Sequence, residues 1–173
     1  CHNVEGEGGD IQKYLKAKAQ YPPPLEMGNY HVGERLKSSW LYSFLRSPTP
    51  VRTWIKVKMP TFAFSDQEVK GLTEYFEAMS PGAEYEAGVH KEKDNAVAQK
   101  GAEMVTYMDC GRCHDDGQKG IEFSLASQRL RQEWIPKWLK DTRSMIPWTP
   151  MPSHWVKDGE GYKVPTKYDE INS

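Results

Sequence analysis

Two stretches of the sequence repeat each other, and this duplication constrains the fold more than any other feature. Glu34 to Trp54 aligns with Gln128 to Trp148 at a constant offset of 94 residues, and five aligned positions are identical. Each copy then reaches a Met-Pro pair, Met59-Pro60 in the first and Met151-Pro152 in the second. Similarity of this length, ending on the same dipeptide, predicts two duplicated units.

The composition indicates less apolar material than a packed core of this size normally contains. Apolar residues make up 38% of the 173, and the mean hydropathy is -0.77. We therefore expect something other than side chains to fill part of the core. The 23 basic and 24 acidic residues nearly cancel, without a basic stripe, so no nucleic-acid partner is predicted. No apolar run approaches the roughly 20 residues of a membrane-spanning helix, and no transmembrane segment is expected.

The strongest chemical motif is Cys110-Gly-Arg-Cys113-His114. The chain has three cysteines, an odd number that argues against a disulfide framework, and Cys-x-x-Cys-His is typical of c-type haem attachment. In a helical turn Cys110 and His114 share one face, so both cysteines can form thioethers while the imidazole binds iron. A thioredoxin-like redox pair lacks its βαβ pattern here, and half of a zinc site lacks a second Cys/His pair.

A second iron ligand is expected downstream of this motif. Met151 is followed at once by Pro152 in a proline-rich stretch, where a core helix is unlikely to form and proline stiffens the loop. A thioether is a soft ligand, and His/Met ligation raises the reduction potential of haem iron. We predict Met151 as this ligand, with His154 and Met145 as alternatives.

The repeat predicts an equivalent pair of iron ligands in the first half of the chain. If Met59 is the matching ligand, its partner must lie upstream, and His2 follows Cys1 as His114 follows Cys113. The first residues then represent the end of a second attachment motif, whose first cysteine would fall at position -2. We expect the sequence to be a piece of something longer, although a complete chain that borrows a helix is an alternative.

At these residues both halves resemble class I c-type cytochromes, and the chain as a whole resembles a dihaem cytochrome c. The resemblance implies an all-α fold with two covalently bound haem c groups. It implies a first unit at residues 1–80, which lacks its N-terminal helix and first cysteine, a linker at 81–94, and a second unit with an extended tail at 95–173. The iron ligands it implies are His2, Met59, His114 and Met151, and the haem-attaching residues are Cys1, Cys110 and Cys113.

Two helices of such units can be predicted from local signals. Ser65 to Met79 opens with the capping box Ser65/Glu68 and is predicted as the C-terminal helix of unit one. Asn95 to Met108 is predicted as the N-terminal helix of unit two, with Gly101 where a close helix crossing requires a small residue. The sequence after Met151 has no helical stripe and is expected to form a loop or docking strap.

Five further residues are candidates for contacts with the haem groups. The carbonyl of Pro24 is a candidate acceptor for the ring N–H of the proximal histidine, although a stiff loop explains this segment as well. Arg35 and Arg129 are candidates to pair with haem propionates, with solvated arginines as the alternative. Trp54 and Trp148 are candidates to donate their indole N–H to a propionate.

The function expected from this resemblance is electron transfer rather than catalysis. Iron with both axial positions occupied has no open site for a substrate. The expected partners are a redox donor and acceptor, with the chain as a periplasmic carrier or as a cytochrome subunit of a membrane-bound respiratory complex. A dihaem peroxidase, in which one iron must open, is the alternative. Covalent haem attachment in this family implies a periplasmic or periplasm-facing location.

Overall fold

Helices carry most of the secondary structure, as the predicted all-α class requires. The computed structural model describes residues 1–2, 9–14, 26–27, 30–54, 58–80, 95–115, 120–146, 149–155, 157–159 and 161–162. Pro24, Trp148, the predicted linker 81–94 and most of the tail lie outside the described residues.

The described helices are short, apart from two of 13 residues each. In chain order the elements are β1 (Glu26–Met27), β2 (Tyr30–His31), α1 (Val32–Arg35), α2 (Ser38–Arg46), α3 (Asp66–Ala78), α4 (Asn95–Tyr107), α5 (Gly111–His114), α6 (Ala126–Arg129), α7 (Trp134–Lys140), α8 (Thr142–Met145), β3 (Lys157–Asp158) and β4 (Gly161–Tyr162). Single 3-10 turns occur at Asp10–Lys13 and Phe123–Leu125. The strands form two antiparallel pairs, β1 with β2 and β3 with β4.

The β3-β4 pair is a difference from the predicted tail, which was expected to be a loop or strap. Lys157 pairs with Tyr162 and Asp158 with Gly161. Gly159, in the turn between them, has φ of 62°, a left-handed conformation that glycine adopts without steric cost. The tail therefore begins with a short hairpin. It was not predicted because strands of two residues leave almost no pattern in the sequence.

The predicted C-terminal helix of unit one is confirmed as α3. The Ser65 hydroxyl accepts the backbone N–H of Glu68, and the Glu68 carboxylate accepts the backbone N–H of Ser65 at 2.8 Å, so the predicted capping box is present. These bonds satisfy two of the N–H groups that the start of a helix leaves without partners.

The core of the first half forms where α3 packs on α1 and α2. Its buried apolar side chains are Val32, Leu36, Leu41, Leu45, Val69 and Phe76. Gly33 allows the approach of α1 to α3, because a Cβ at this position would lie only 2.7 Å from the carbonyl carbon of Phe76 and would overlap its oxygen. A small residue at this point of α1 thus sets the distance between the two helices.

The two repeat segments fold similarly up to the ends of α2 and α7. Helices α1 and α6 occupy the same positions of the repeat, and α2 and α7 end at equivalent residues, Arg46 and Lys140. The residues that follow have matching backbone angles, φ -147° and ψ 84° at Ser47 and φ -151° and ψ 72° at Asp141. The duplication in the sequence is therefore also a duplication of local structure.

Equivalent residues of the two repeats pair with each other in an antiparallel bridge. Leu36 lies opposite Leu130. The backbone N–H of Lys37 donates to Arg129 O at 3.0 Å, and that of Arg131 donates to Arg35 O at 2.9 Å. Because each bond joins residues exchanged by the repeat, the two segments are related by a local pseudo-twofold axis.

Side chains reinforce this bridge in the same symmetric way. Arg131 Nε donates to Gly33 O at 2.8 Å, and at the equivalent point Lys37 Nζ donates to Ser127 O at 2.8 Å. Arg131 lies 3.8 Å from Glu77, and both side chains are largely buried. The duplicated segments are thus joined by charged hydrogen bonds as well as by apolar contact.

The predicted N-terminal helix of unit two is also present, as α4, but it is not packed as expected. Its described side chains include no buried residue, and a Cβ added to Gly101 would meet nothing within 4 Å. The expectation that Gly101 marks a close helix crossing is therefore wrong in this structure. Within residues 95–108, Met108 is the one buried residue, and it lies just beyond the end of α4.

Among the residues that the structure describes, no helix combines the length and apolar character that crossing a membrane would require. This finding agrees with the absence of a transmembrane segment expected from the sequence.

Candidate functional site

A cavity of about 420 Å³ in the first half brings together residues that are far apart in the sequence. Cys1 and His2, from the first attachment motif, line it together with Met59 and Pro60. The volume lies within the range of about 300–1,000 Å³ typical of cofactor and ligand sites. The predicted histidine and methionine ligands of the first iron therefore face one common space.

The walls of this cavity are mainly apolar and come from the helices of the core. Trp40 and Phe44, on α2, stack with ring centroids 4.7 Å apart and an interplanar angle of 15°, and both line the cavity. The other apolar or aromatic lining residues are Val32, Leu36, Leu41, Leu45, Pro48, Pro50, Val51, Phe62, Phe64, Leu72 and Phe76. Such walls suit a large, flat, apolar ligand.

Four cationic side chains interrupt the apolar lining, and the described lining residues include no Asp or Glu. The four are Arg35, Arg52, Lys58 and Arg129. Burial, followed by the charges of Arg129 and Arg52, holds the pKa of Arg35 well below its ordinary value. Burial and then Arg52 lower the pKa of Arg129 to about 9. The cavity therefore has a positive potential, which favours an anionic ligand.

Arg129 reaches this cavity from the second repeat. Its guanidinium carbon lies 5.3 Å from the centre of the Trp40 ring, within the range of a cation–π contact. The residue is buried, and its Nε has no hydrogen-bond partner among the described residues. One N–H of a buried, cavity-lining cation thus has no acceptor among the described residues.

The second attachment motif lies at the end of α4, where the chain turns sharply. Asp109 has φ of 57°, and its carboxylate accepts Arg112 Nε at 2.7 Å. The backbone N–H of His114 donates to Cys110 O at 3.2 Å, so the motif forms one helical turn over α5. Cys110 and His114 therefore lie on the same side of that turn, as predicted.

The thiol of Cys110 has the wrong acidity for a thioredoxin-like redox pair. Burial, followed by the neighbouring carboxylate of Asp109, raises its pKa. Reactive dithiols instead have a lowered thiol pKa, because the thiolate is the nucleophile. Cys110 and Cys113 are both free thiols in this structure.

The ring of His114 is fixed by contacts that leave one nitrogen available. Its Nδ1 lies 2.7 Å from Ile121 O, and since a carbonyl can only accept, Nδ1 donates; in the neutral ring Nε2 then carries the lone pair. The ring also stacks on Phe123, with centroids 4.7 Å apart and an angle of 13°. Such a bond typically fixes the orientation and tautomer of a metal-binding histidine.

Gly120 is required beside this histidine. A Cβ at this position would lie 2.8 Å from His114 Nδ1 and 2.8 Å from Cys113 O. These distances are shorter than van der Waals contact, so any larger residue would displace the ring or the attachment motif.

Met151 is held by bonds from α7 and α8. The indole N–H of Trp138 donates to its sulfur at 3.1 Å, and the hydroxyl of Thr142 donates to its carbonyl oxygen at 3.1 Å. Thr142 is completely buried and also contacts Ser153 at 2.9 Å. The loop carrying the predicted thioether ligand is therefore anchored to two helices.

A stacked aromatic pair occurs at equivalent positions in the two repeats, with one difference. Trp138 stacks on Trp134 at 5.3 Å, as Phe44 stacks on Trp40 in the first repeat. Phe44 occupies the position equivalent to Trp138 but has no N–H to donate. Only the second methionine therefore has an indole donor at this place in the repeat.

The remaining candidates are placed less centrally. Trp54 is 38% exposed and does not line the cavity. His154 is buried, whereas Met145 is half-buried at the end of α8. No hydrogen bond or ring contact of the described residues joins His114 to Met151.

Five residues that contribute to these sites were missed by the sequence reasoning. Arg52 has no charged counterpart in the second repeat, because Ile146 occupies that position. Ile121 contributes a backbone carbonyl, which any residue can provide, and neither Gly120 nor Phe123 belongs to a recognisable motif. Trp138 could have been found by its place in the repeat, four residues after Trp134.

No group of three or more His, Cys, Asp or Glu side chains that could bind a metal occurs within the described ranges. Comparison of the chain with protein-family models, curated protein sequences and solved structures finds no match. The functional interpretation therefore depends on the residues and their geometry.

Proposed function

We propose that this chain is a dihaem c-type cytochrome, built from two class I-like units, that transfers electrons and catalyses no reaction of its own. The observation that carries the proposal is that Cys1, His2 and Met59 line the same cavity. The two proposed ligands, His2 and Met59, are 57 residues apart in the sequence. The motif at Cys110, Cys113 and His114 supports a second group of the same kind.

The residues of the first cavity fit a haem in shape, charge and donor chemistry. The walls are apolar and aromatic, as the faces of a macrocycle require. The cationic side chains match two carboxylates on its edge, and a guanidinium fork suits a carboxylate well. Imidazole and thioether are both established axial ligands of haem iron.

The residues of the second site fit a haem through the state of their donors. The bond from His114 Nδ1 to Ile121 O leaves Nε2 with the lone pair that a metal requires. The raised pKa of the Cys110 thiol argues against dithiol redox chemistry, which requires a reactive thiolate. Trp138 and Thr142 hold Met151 in a fixed loop.

In the proposed mechanism the bound haem supplies a one-electron iron couple. His2 and Met59 in the first site, and His114 and Met151 in the second, would hold the iron through imidazole and thioether donors. The apolar walls from α2 and α3 exclude water, and the buried arginines balance the charge of the haem carboxylates. The hydrogen bonds between Lys37 and Arg129 and between Arg131 and Arg35 join the two repeats that contribute to these sites.

The proposed partners are a redox donor and a redox acceptor in the bacterial periplasm or on the periplasmic face of a membrane complex. The chain would serve as a carrier or as the cytochrome part of a respiratory complex. Location and partners rest on the resemblance to c-type cytochromes, in which haem is attached outside the cytoplasmic membrane.

The proposal is tested first by counting haem groups in the purified, matured protein. We expect two covalently bound haems per chain, low-spin spectra in the reduced state and no carbon monoxide adduct at neutral pH. One haem per chain would remove the first site, and none would refute the proposal entirely.

Axial ligation is tested with pairs of methionine variants. Met59→Ala and Met151→Ala should each open one of the two irons, so that about half of the haem binds carbon monoxide. Met79→Ala and Met145→Ala are the matched controls, since they remove a methionine from the same unit and should leave both irons closed. Carbon monoxide binding by a control, with none by its partner, would show that the ligand assignment is wrong.

A further inference from the structure

Arg129 belongs to the second repeat, but its side chain lies in the cavity of the first half. It lines that cavity together with Arg35, its equivalent in the repeat. The repeat would assign each arginine to its own unit, yet both line this one cavity. The cavity of the first half is therefore lined by residues of both repeats.

The backbone of the joint holds Arg129 in this position. Its carbonyl accepts the N–H of Lys37 at 3.0 Å, and the neighbouring Leu130 lies opposite Leu36 in the antiparallel bridge. The Trp40 ring, on the first half's α2, lies 5.3 Å from the guanidinium carbon. The cross-unit placement thus follows from bonds on both sides of the residue.

The charge of Arg129 requires a partner of opposite sign. A buried ion costs several kcal/mol unless charge and hydrogen bonds compensate. The lining offers Arg35, Arg52 and Lys58 nearby but no described carboxylate, and the Nε of Arg129 has no described hydrogen-bond partner. An anionic group inside the cavity would satisfy both its charge and its free N–H.

Building on the proposed function, we infer that Arg129 binds a carboxylate of the haem in the first half and so completes that site from the second half. The first haem then depends on the joint between the repeats. A positive charge beside this haem disfavours the ferric state, so Arg129 raises the reduction potential of the first iron and has little effect on the second.

The test measures the two reduction potentials separately by spectroelectrochemical titration of the matured dihaem protein. Met59→His and Met151→His identify the two titration waves, because imidazole in place of thioether lowers the potential of the haem concerned. Arg129→Gln removes the charge, and Arg129→Lys retains it. Arg143→Gln is the matched control, since it removes the same charge from an exposed position on α8.

We expect Arg129→Gln to shift the reduction equilibrium of the first haem toward the ferric state by about tenfold, which is about 59 mV for one electron. The second haem should shift by less than about threefold, and Arg129→Lys and Arg143→Gln should leave both waves within that limit. Loss of only the first haem from Arg129→Gln, found as an unmodified Cys1 peptide by mass spectrometry, would also support the inference.

A larger shift of the second haem, or equal shifts in Arg129→Gln and Arg143→Gln, would overturn the inference. Loss of the second haem instead of the first would do the same. These outcomes differ from failure of the proposed function, because in that case the unmutated protein itself would contain fewer than two haems.

Discussion

Replacing Arg131 by methionine should weaken the joint between the two repeats more than any single surface change. The guanidinium donates from Nε to Gly33 O at 2.8 Å and to Leu36 O at 3.0 Å. It also donates to the Ser38 hydroxyl at 3.1 Å and lies 3.8 Å from Glu77. Methionine keeps much of the aliphatic volume but none of these bonds.

The magnitude follows from the burial of the pair. The Arg131 side chain is 8% exposed and that of Glu77 is 17% exposed, so solvent screens their interaction weakly. Hydrogen bonds from charged groups contribute about 1.5–3 kcal/mol each, and removal of one partner from a buried pair costs about 3–5 kcal/mol in total. We therefore expect Arg131→Met to lower the free energy of unfolding by about 3–5 kcal/mol.

Guanidinium chloride unfolding of the matured protein measures this loss. With a slope of about 4 kcal/mol per molar denaturant, the midpoint should fall by roughly 1 M. Arg143→Met, which removes an exposed arginine from α8, should stay within about 0.5 kcal/mol of the unmutated protein. Equal midpoints for the two variants would refute the idea that Arg131 stabilises the joint.

Two further perturbations test local features. Ser65→Ala should cost about 1 kcal/mol in thermal or denaturant unfolding at neutral pH, because it removes the cap of α3. Hydrogen bonds from the Ser65 side chain and backbone lower the pKa of Glu68 from 4.5. Because the pKa of Glu68 is lower in the folded protein, its carboxylate stabilises the fold at pH values above about 4.5, and this stabilisation is lost as the pH falls through the folded-state pKa. The difference in unfolding free energy between Ser65→Ala and the unmutated protein should therefore shrink as the pH falls below about 4.5. A difference that stays constant would contradict this. Gly120→Ala should displace His114 and shift the potential of the second haem, since the new Cβ would lie 2.8 Å from Nδ1. Gly101→Ala, which meets nothing within 4 Å, is its control and should instead stabilise α4 by roughly 0.5–1 kcal/mol; equal potentials in the two glycine variants would show that His114 tolerates a Cβ at Gly120.

Local signals predicted the parts of this fold that depend on neighbouring residues. The capping box at Ser65 and Glu68 specified where α3 begins, because both of its hydrogen bonds close within one turn. The helix from Asn95 was predicted from its plausible Asn cap and its place directly before the Cys110 motif, and it forms. Its packing was not predictable, because the exposure of α4 depends on which other elements lie beside it.

The functional sites also combine a local feature that the sequence predicts with contacts that it does not predict. The spacing from Cys110 to His114 predicts a haem-attachment motif by itself, since one helical turn sets its geometry. The acceptor for His114 Nδ1 is the carbonyl of Ile121, and a backbone oxygen leaves no trace in side-chain identity. Arg52 likewise carries no signal, because its role depends on the cavity that surrounds it.

By itself, the sequence determined the duplication, the candidate ligands His2, Met59, His114 and Met151, and the helical class, because these depend on spacing along the chain. Only the tertiary structure decided that the repeats join through Leu36 and Leu130 and that Arg129 crosses into the first cavity. The physical reason is that contacts between residues more than 90 positions apart depend on how two folded segments meet, and no local pattern encodes that meeting.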